Sequence, residues 1–173
     1  MEETPDKKNS VQGQDKKDSD TQGQFGTQNI YVKDISFETP NSPQIFMEQG
    51  QPKTELEMSI KINKLSEDVY EVILNITVTV KVEEKTAYLI EVHQAGIFTI
   101  KDFDDDKLSH MLHVYCPTIL FPFARETIFS LVTQGGFQPL WRGGFLLLPV
   151  NFEAIYNQQR QNENASESNK ESA

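Results

Sequence analysis

A chain of 173 residues with a formal net charge of −10 is the size of one domain, and it holds too few bases to displace counterions from nucleic acid. Its lone cysteine, Cys116, excludes an internal disulfide and suits a reducing compartment. The acidic excess favours a basic partner, whose encounter the field would speed.

Residues 1–28 and 160–173 are rich in Gln, Asn, Asp, Glu, Lys and Ser and almost empty of apolar side chains. Such stretches bury too little surface to offset their ordering entropy. They are expected to be disordered tails around one folded domain, 29–159. Residues 1–28 hold six acids and four bases, so most of the negative charge falls on the folded part. The N-terminus lacks the basic patch and apolar core of a signal peptide. The apolar run within 108–132 is cut by His, Pro, Arg and Glu, so it does not span a bilayer.

IYVKDISFE, from Ile30 to Glu38, alternates with period two and predicts a strand. Tyr31, Lys33, Ile35 and Phe37 fall on one face, and Ile30, Val32, Asp34, Ser36 and Glu38 on the other. Asp34 and Glu38 then lie about 13 Å apart, too far for paired acid–base work on one bond but suited to an acidic strip. The connection from Thr39 to Thr54 carries Ile45, Phe46 and Met47 among prolines; on a loop these residues plug a core or line a groove.

Three more strands alternate cleanly: Glu55–Leu65, Val69–Val82 and Thr86–Ile100. Short turns at Ser66–Asp68 and Glu83–Lys85 make them antiparallel neighbours. One apolar and one polar face predict a sheet covered on one side. Leu89 is an apolar residue on the polar face beside Glu91, a candidate docking contact. Ala95-Gly96 reads as a bulge or bend. KDFDDDK, Lys101–Lys107, resembles a calcium loop only superficially, since Lys107 and His113 stand where that loop needs Gly and Glu.

Leu108 to Gly136 is the longest segment readable as helix. Asp106 or Ser109 is expected to cap it, Gly135-Gly136 to close it, and Pro117 and Pro122 to kink or break it. Leu120, Phe121, Ala124, Ile128, Leu131 and Val132 form one stripe. Ile119, Phe123 and Phe129 lie outside it among polar residues, more apolar surface than a helix on a monomer needs. A second body packed on the far side or deep burial in one domain would each account for that. His110, His113 and Cys116 recur every three residues but fan around the helix axis rather than converge on a metal. A last helix is expected to begin after Asn151, its cap, with Phe152, Ile155 and Tyr156 as its apolar stripe.

No phosphate loop, G-x-S-x-G elbow, HExxH or CxxC is present, and Cys116 lies in an apolar segment where thiols are inert. No enzyme constellation and no cofactor motif are seen.

The segments IYVKDISFETPNSP, DVYEVILNITVTV, EVHQAGIFTI, HVYCPTILFPFARETI and PVNFEAIY, in this order from Ile30 to Tyr156, resemble SecB, the tetrameric protein-export chaperone of proteobacteria. The resemblance implies an α+β fold: a four-stranded antiparallel sheet with a crossover connection and two helices on one face. It implies a cytoplasmic homotetramer, a dimer of dimers with the long helices between the sheets, and no cofactor, enzyme activity or direct membrane insertion. Tyr88, Ile90, Val92 and Gln94, with Ile119, Phe123 and Phe129, would lie at subunit contacts. Unfolded precursor proteins would bind grooves formed by Phe37, Ile45, Phe46, Leu140, Trp141, Phe152, Ile155 and Tyr156. Asp34, Glu38, Leu89 and Glu91 would dock the basic, zinc-bearing tail of the SecA motor ATPase; the zinc belongs to the partner. Gly50 stands where many members carry Trp, and Trp141–Phe145 is extra. Two alternatives are a SecB-like chaperone dedicated to one client such as an antitoxin, and a binder of small apolar ligands in a closed pocket.

Overall fold

The structure, a computed structural model, describes residues 23–138 and 149–170. Its strands are β1 (Gln24–Glu38), β2 (Pro52–Lys64), β3 (Val69–Val82) and β4 (Lys85–Lys101). They form one antiparallel sheet in the order β1-β4-β3-β2. The last three strands are a meander, and β1 crosses over to pair with β4, so β1 and β2 are the edges. The helices are α1 (Asp105–His110), α2 (Cys116–Gln134) and α3 (Phe152–Lys170), with a π-helical turn at Met111–Tyr115 between the first two.

Alternation fixes which face the helices cover. Val72, Leu74, Ile76, Val78 and Val80 of β3 and Tyr88, Ile90, Val92, Phe98 and Ile100 of β4 meet Leu120, Phe121, Ala124, Ile128 and Val132 of α2 in one buried core. Each such side chain contributes about 1.5–3 kcal/mol when fully covered. The helical stripe read from the sequence is the one that is buried. Ile45, in a single 3₁₀ turn at Gln44–Met47, plugs the core from the long connection, while Phe46 and Met47 stay exposed.

Several boundaries differ from expectation. The first strand starts at Gln24, ahead of Ile30, because Phe25 anchors it. Its ring stacks on Phe98 at 5.8 Å and meets Tyr115 edge-on at 4.9 Å. The last helix runs to Lys170, well past the expected end at 159. Once Phe152 and Tyr156 anchor its first turns, adding residues costs far less than starting a helix, so even a polar sequence can propagate it.

Of the expected kink or break at Pro117 and Pro122, no break occurs, and α2 runs through both. Pro117 enters just after the π-helical turn, where the Cys116 N–H already reaches back to the Met111 carbonyl, and Pro122 sits inside α2. Asp104, rather than Asp106 or Ser109, caps α1 by accepting from the Lys107 N–H at 2.8 Å. Asn151 caps α3 as expected, accepting from the Ala154 N–H at 3.0 Å.

At the end of α2 the Gly136 N–H bonds to the Thr133 carbonyl and the Phe137 N–H to the Val132 carbonyl, with Gly136 at φ 80°. This is the paired closure that a left-handed glycine allows. It turns Phe137 back onto Tyr88, with ring centroids 4.8 Å apart.

Ala95-Gly96 is not a bulge. The register runs through both residues, and the irregularities of that strand pair lie at Thr27/Asn29 and Val32/Asp34 of β1. Gly96 instead marks close packing, since a Cβ there would lie 2.7 Å from the Phe98 ring and 2.9 Å from Leu120 Cδ2.

Candidate functional site

The face of the sheet without helices is read from its register. Asp34 sits opposite His93, Ser36 opposite Glu91, and Glu38 opposite Leu89. Those β4 residues face Asn75, Thr77 and Thr79 of β3, which face Ser59, Glu57 and Glu55 of β2. Directly opposite residues share a face, so Asp34, Glu38, Leu89 and Glu91 come together as expected. Asp34, Glu38 and Glu91 are exposed and Leu89 is half-buried. His93 Nδ1 lies 4.0 Å from Asp34 Oδ2. Among the described residues, Glu38, Glu91 and Glu57 make no ion pair, whereas Glu55 pairs with Lys81 at 3.1 Å. The register extends the strip to Glu57, which the sequence reading did not single out. Its alternation and its neighbouring strand were plain, but the register that sets it opposite Thr77 was not.

The faces of β1 need one correction. The register shift between Val32 and Asp34 leaves Lys33 as an extra residue. Tyr31 therefore shares the open face with Asp34, Ser36 and Glu38, and Val32 shares the helix-bearing face with Ile35 and Phe37. Beside the shift lies a second cluster. Glu71 points to the open face, yet it is only 6 % exposed. The Tyr31 hydroxyl and Lys33 Nζ, the latter at 2.7 Å, both donate to Oε1, and Asn63 Nδ2 donates to Oε2 at 2.7 Å.

The Lys33 ammonium foremost, then the Tyr31 hydroxyl, hold the Glu71 carboxyl down at about 2, and the carboxylate in turn pushes the Tyr31 phenol up to about 12. With the folded pKa of Glu71 depressed, the unfolded chain takes up that proton first as pH falls. Its contribution is complete above the ordinary carboxylate range and is lost from about pH 5 down through pH 2. Glu71→Gln is expected to cost about 1–3 kcal/mol at pH 7, with the gap to the unmodified chain closing toward pH 2. Urea unfolding across that range measures it, and a gap independent of pH would contradict it.

The helix-bearing face is apolar where the helices leave it open. A recess of about 170 Å³ is lined by Ile45, Phe46, Pro52, Val80, Val82, Tyr88 and Phe137. A second, of about 180 Å³, lies between β2 and α3, lined by Met58, Ile60, Leu74, Phe152 and Ile155 together with the polar Ser59, His113 and Gln159. Leu56, exposed, points to the same face between them and pairs with Val78. Edge strand β2 thus joins the two recesses into one apolar track.

Of the expected groove residues, Phe46 lies open against Phe137, with centroids 5.0 Å apart, and Phe37 is half-buried near Tyr88. Ile155 is half-buried, while Ile45 and Phe152 are buried and form recess floor rather than open surface. Tyr156 is also buried and lines two other recesses, an apolar one with Phe103 and Met111 and a polar one. There its hydroxyl lies 3.0 Å from Ser109 Oγ, beside His113 and Arg160. Leu140 and Trp141 lie outside the described residues. Leu56, Met58 and Ile60 were legible as inward-facing, but not as the open rim of an edge strand.

Tyr88, Ile90, Val92 and Gln94, expected at subunit contacts, are at most 4 % exposed in the single chain, so the chain itself already covers them. Burial holds the Tyr88 phenol up at about 12. Phe123 and Phe129, by contrast, are 49 % and 46 % exposed on α2, and Ile119 is half-buried. Val32 and Ile35 are exposed on the same side of the sheet.

The three residues weighed as metal ligands do not converge. His110 Nε2 lies 2.6 Å from Glu153, His113 Nδ1 lies 2.9 Å from the Ser109 carbonyl, and Cys116 is buried, its thiol pushed up to about 12. Among the described residues, no helix is long and apolar enough to cross a membrane.

A sheet that keeps an apolar track open on one face and exposed carboxylates on the other belongs to a protein that works by binding, of the chaperone class. The comparisons agree. A family model described as the preprotein translocase subunit SecB matches residues 18–163. The protein-export protein SecB of Methylococcus capsulatus is 52 % identical over 138 residues, covering 80 % of this chain and 86 % of that one. That of Nitrosococcus oceani is 49 % identical over 162 residues, 92 % of each chain. The chain belongs to the SecB family of protein-export chaperones. A Mycobacterium tuberculosis SecB-like chaperone, solved in complex with a peptide from an antitoxin, shares the fold, with a TM-score of 0.57 and 14 % identity over 73 % of this chain and 93 % of that one.

Proposed function

We propose that the chain is a holdase. It binds unfolded precursor proteins along the apolar track, keeps them fit for translocation, and passes them to the SecA motor ATPase in the cytoplasm, without a cofactor or chemistry of its own. The observation that carries this reading is the division of labour between the two faces of one sheet. The track from Phe46 past Leu56 to Ile155 offers mostly apolar side chains, with Gln138, Ser59, His113 and Gln159 among them, a lining that tolerates many sequences. The opposite face presents Asp34, Glu38, Glu91 and Leu89 to a basic tail.

The test is refolding of a slow-folding precursor with rising amounts of the protein. Binding the unfolded state opposes folding by mass action, so the refolded yield is expected to fall as the chaperone approaches stoichiometry. Refolding that proceeds undisturbed would overturn the reading.

The apolar residues left outside on α2 and β1 support assembly as a homotetramer, a dimer of dimers with the long helices between the sheets. Phe123→Asp is expected to raise the dissociation constant about tenfold, in keeping with a half-exposed aromatic losing its cover. Analytical ultracentrifugation reads it, and an unshifted constant would take Phe123 out of the interface.

A further inference from the structure

Where Asp34 and Glu38 point depends on one irregularity. Upstream of it, Tyr31 opposite Ala95 faces the open side; downstream, Asp34 opposite His93 faces it too. Strict alternation from Tyr31 would send Asp34 and Glu38 to the helix-bearing face and bring Ile35 and Phe37 out in their place. A one-residue slip exchanges the faces of a strand completely. The extra residue, Lys33, prevents this.

Two contacts grip the chain at that point, one from each face. On the open face Glu71 of β3 reaches over β4 to accept from both Tyr31 and Lys33, with Asn63 of β2 holding its other oxygen. The cluster therefore draws on β1, β2 and β3. Under it Ala95 and Ile73, an opposed pair on the open face, are buried. On the helix-bearing face, the side-chain amide of Gln94 donates to the Tyr31 carbonyl at 2.9 Å. An edge strand has a neighbour on one side only, so β1 depends on its pairing with β4 and on such side-chain contacts to keep its register.

We propose that Glu71 is a positioning residue for partner docking. Through Lys33 and Tyr31 it holds the bulge of β1 and so aims Asp34 and Glu38 at the same face as Glu91. The inference rests on the docking reading above and goes beyond it, because Glu71 itself is too buried to touch a partner.

The test is calorimetry with the zinc-loaded basic tail of SecA as probe, on the full chain, Glu71→Gln, Asp34→Asn, Glu91→Gln and the doubles with Glu71→Gln. Glu71→Gln and Asp34→Asn are each expected to weaken binding about fivefold, and the double no more than about tenfold instead of the roughly twenty-five-fold of independent sites. Glu71→Gln with Glu91→Gln is expected to multiply. Full multiplication with Asp34→Asn, or no effect of Glu71→Gln, overturns the proposal. A chain that ignores the tail before any substitution instead removes the docking reading itself.

A purely structural role would not couple to Asp34 alone. Amide exchange separates the two further. In Glu71→Gln the amides of Asp34–Glu38 are expected to exchange at least about tenfold faster while those of Leu74–Val78 keep their rates, since edge opening is local. Equal acceleration of both strands overturns the proposal. Tyr31→Phe, which removes only a hydroxyl, is expected to weaken tail binding about twofold if Glu71→Gln proves too unstable to study; unchanged binding counts against the clamp.

Discussion

Glu91→Lys is expected to weaken binding of the basic SecA tail about thirtyfold while leaving the holding of unfolded clients unchanged. Glu91 is exposed, lies opposite Ser36 and Thr77 between the carboxylates of Asp34 and Glu38 along the edge and Glu57 beyond, and has no ion-pair partner among the described residues. Nothing within the sheet competes for its charge. Lysine replaces an attraction with a repulsion of the same reach. For a fully solvated charge at about 4 Å the interaction is worth about 1 kcal/mol, so reversing its sign costs about 2 kcal/mol, or about thirtyfold. Glu91→Gln, which only deletes the charge, should cost about half that free energy, and both effects should shrink as salt rises. Clients are spared because the track from Phe46 to Ile155 lies on the other face. Calorimetry with the tail and refolding yields with a precursor measure the two functions separately. An unchanged tail affinity would remove Glu91 from the docking site; a parallel loss of client holding would show that the faces are not independent.

The acidic face was legible because alternation is a local property. Asp34, Glu38, Leu89 and Glu91 could be sorted into polar faces from spacing alone, and the resemblance to the SecB family joined them. What spacing could not show was the extra residue at Lys33. A bulge changes which neighbours share a face without leaving a glycine or proline behind, so Tyr31 was grouped with Ile35 instead of with Asp34. The Glu71 cluster was hidden for the same reason. Its four members come from three strands and meet only because the register and the bulge carry Tyr31 and Lys33 toward β3.

Tyr88, Ile90, Val92 and Gln94 show a related limit. Period two says that they are covered, but not whether the cover is the chain's own α2 or another subunit. Phe123 and Phe129 do lie outside the buried stripe, as a helical wheel shows by counting apolar residues beyond those one core can take. The first strand and the last helix extend past their expected bounds, to Gln24 and to Lys170, through two different mechanisms. At the first, a single aromatic, Phe25, anchors a polar stretch; at the second, a helix already nucleated is propagated.

Gly96→Ala is expected to destabilise the fold by about 3 kcal/mol, against the sign that propensity alone predicts. Alanine in a strand normally costs less backbone entropy than glycine, by about 0.5–1 kcal/mol. Here the added Cβ would stand 2.7 Å from the Phe98 ring and 2.9 Å from Leu120, closer than carbon atoms tolerate. Neither neighbour can retreat easily, because both are fully buried, Phe98 with Phe25 stacked on it and Leu120 in the stripe of α2. Either α2 lifts from the sheet or β4 bends, and overpacking of this kind costs about 1–3 kcal/mol, at the upper end where both neighbours are locked. The melting temperature of a chain this size is expected to fall by about 6–12 °C. Leu120→Ala alone should also destabilise, by leaving a cavity of its own. Combined with Gly96→Ala it should cost clearly less than the sum, because the new methyl then has space to occupy. Urea unfolding of the four-member cycle gives the coupling directly. Additive losses would show that Gly96 is needed for the backbone of β4 rather than for the approach of α2. A neutral Gly96→Ala would mean that the helix rides on the sheet loosely enough to move, which would also weaken the case for a rigid scaffold separating the client track from the acidic face.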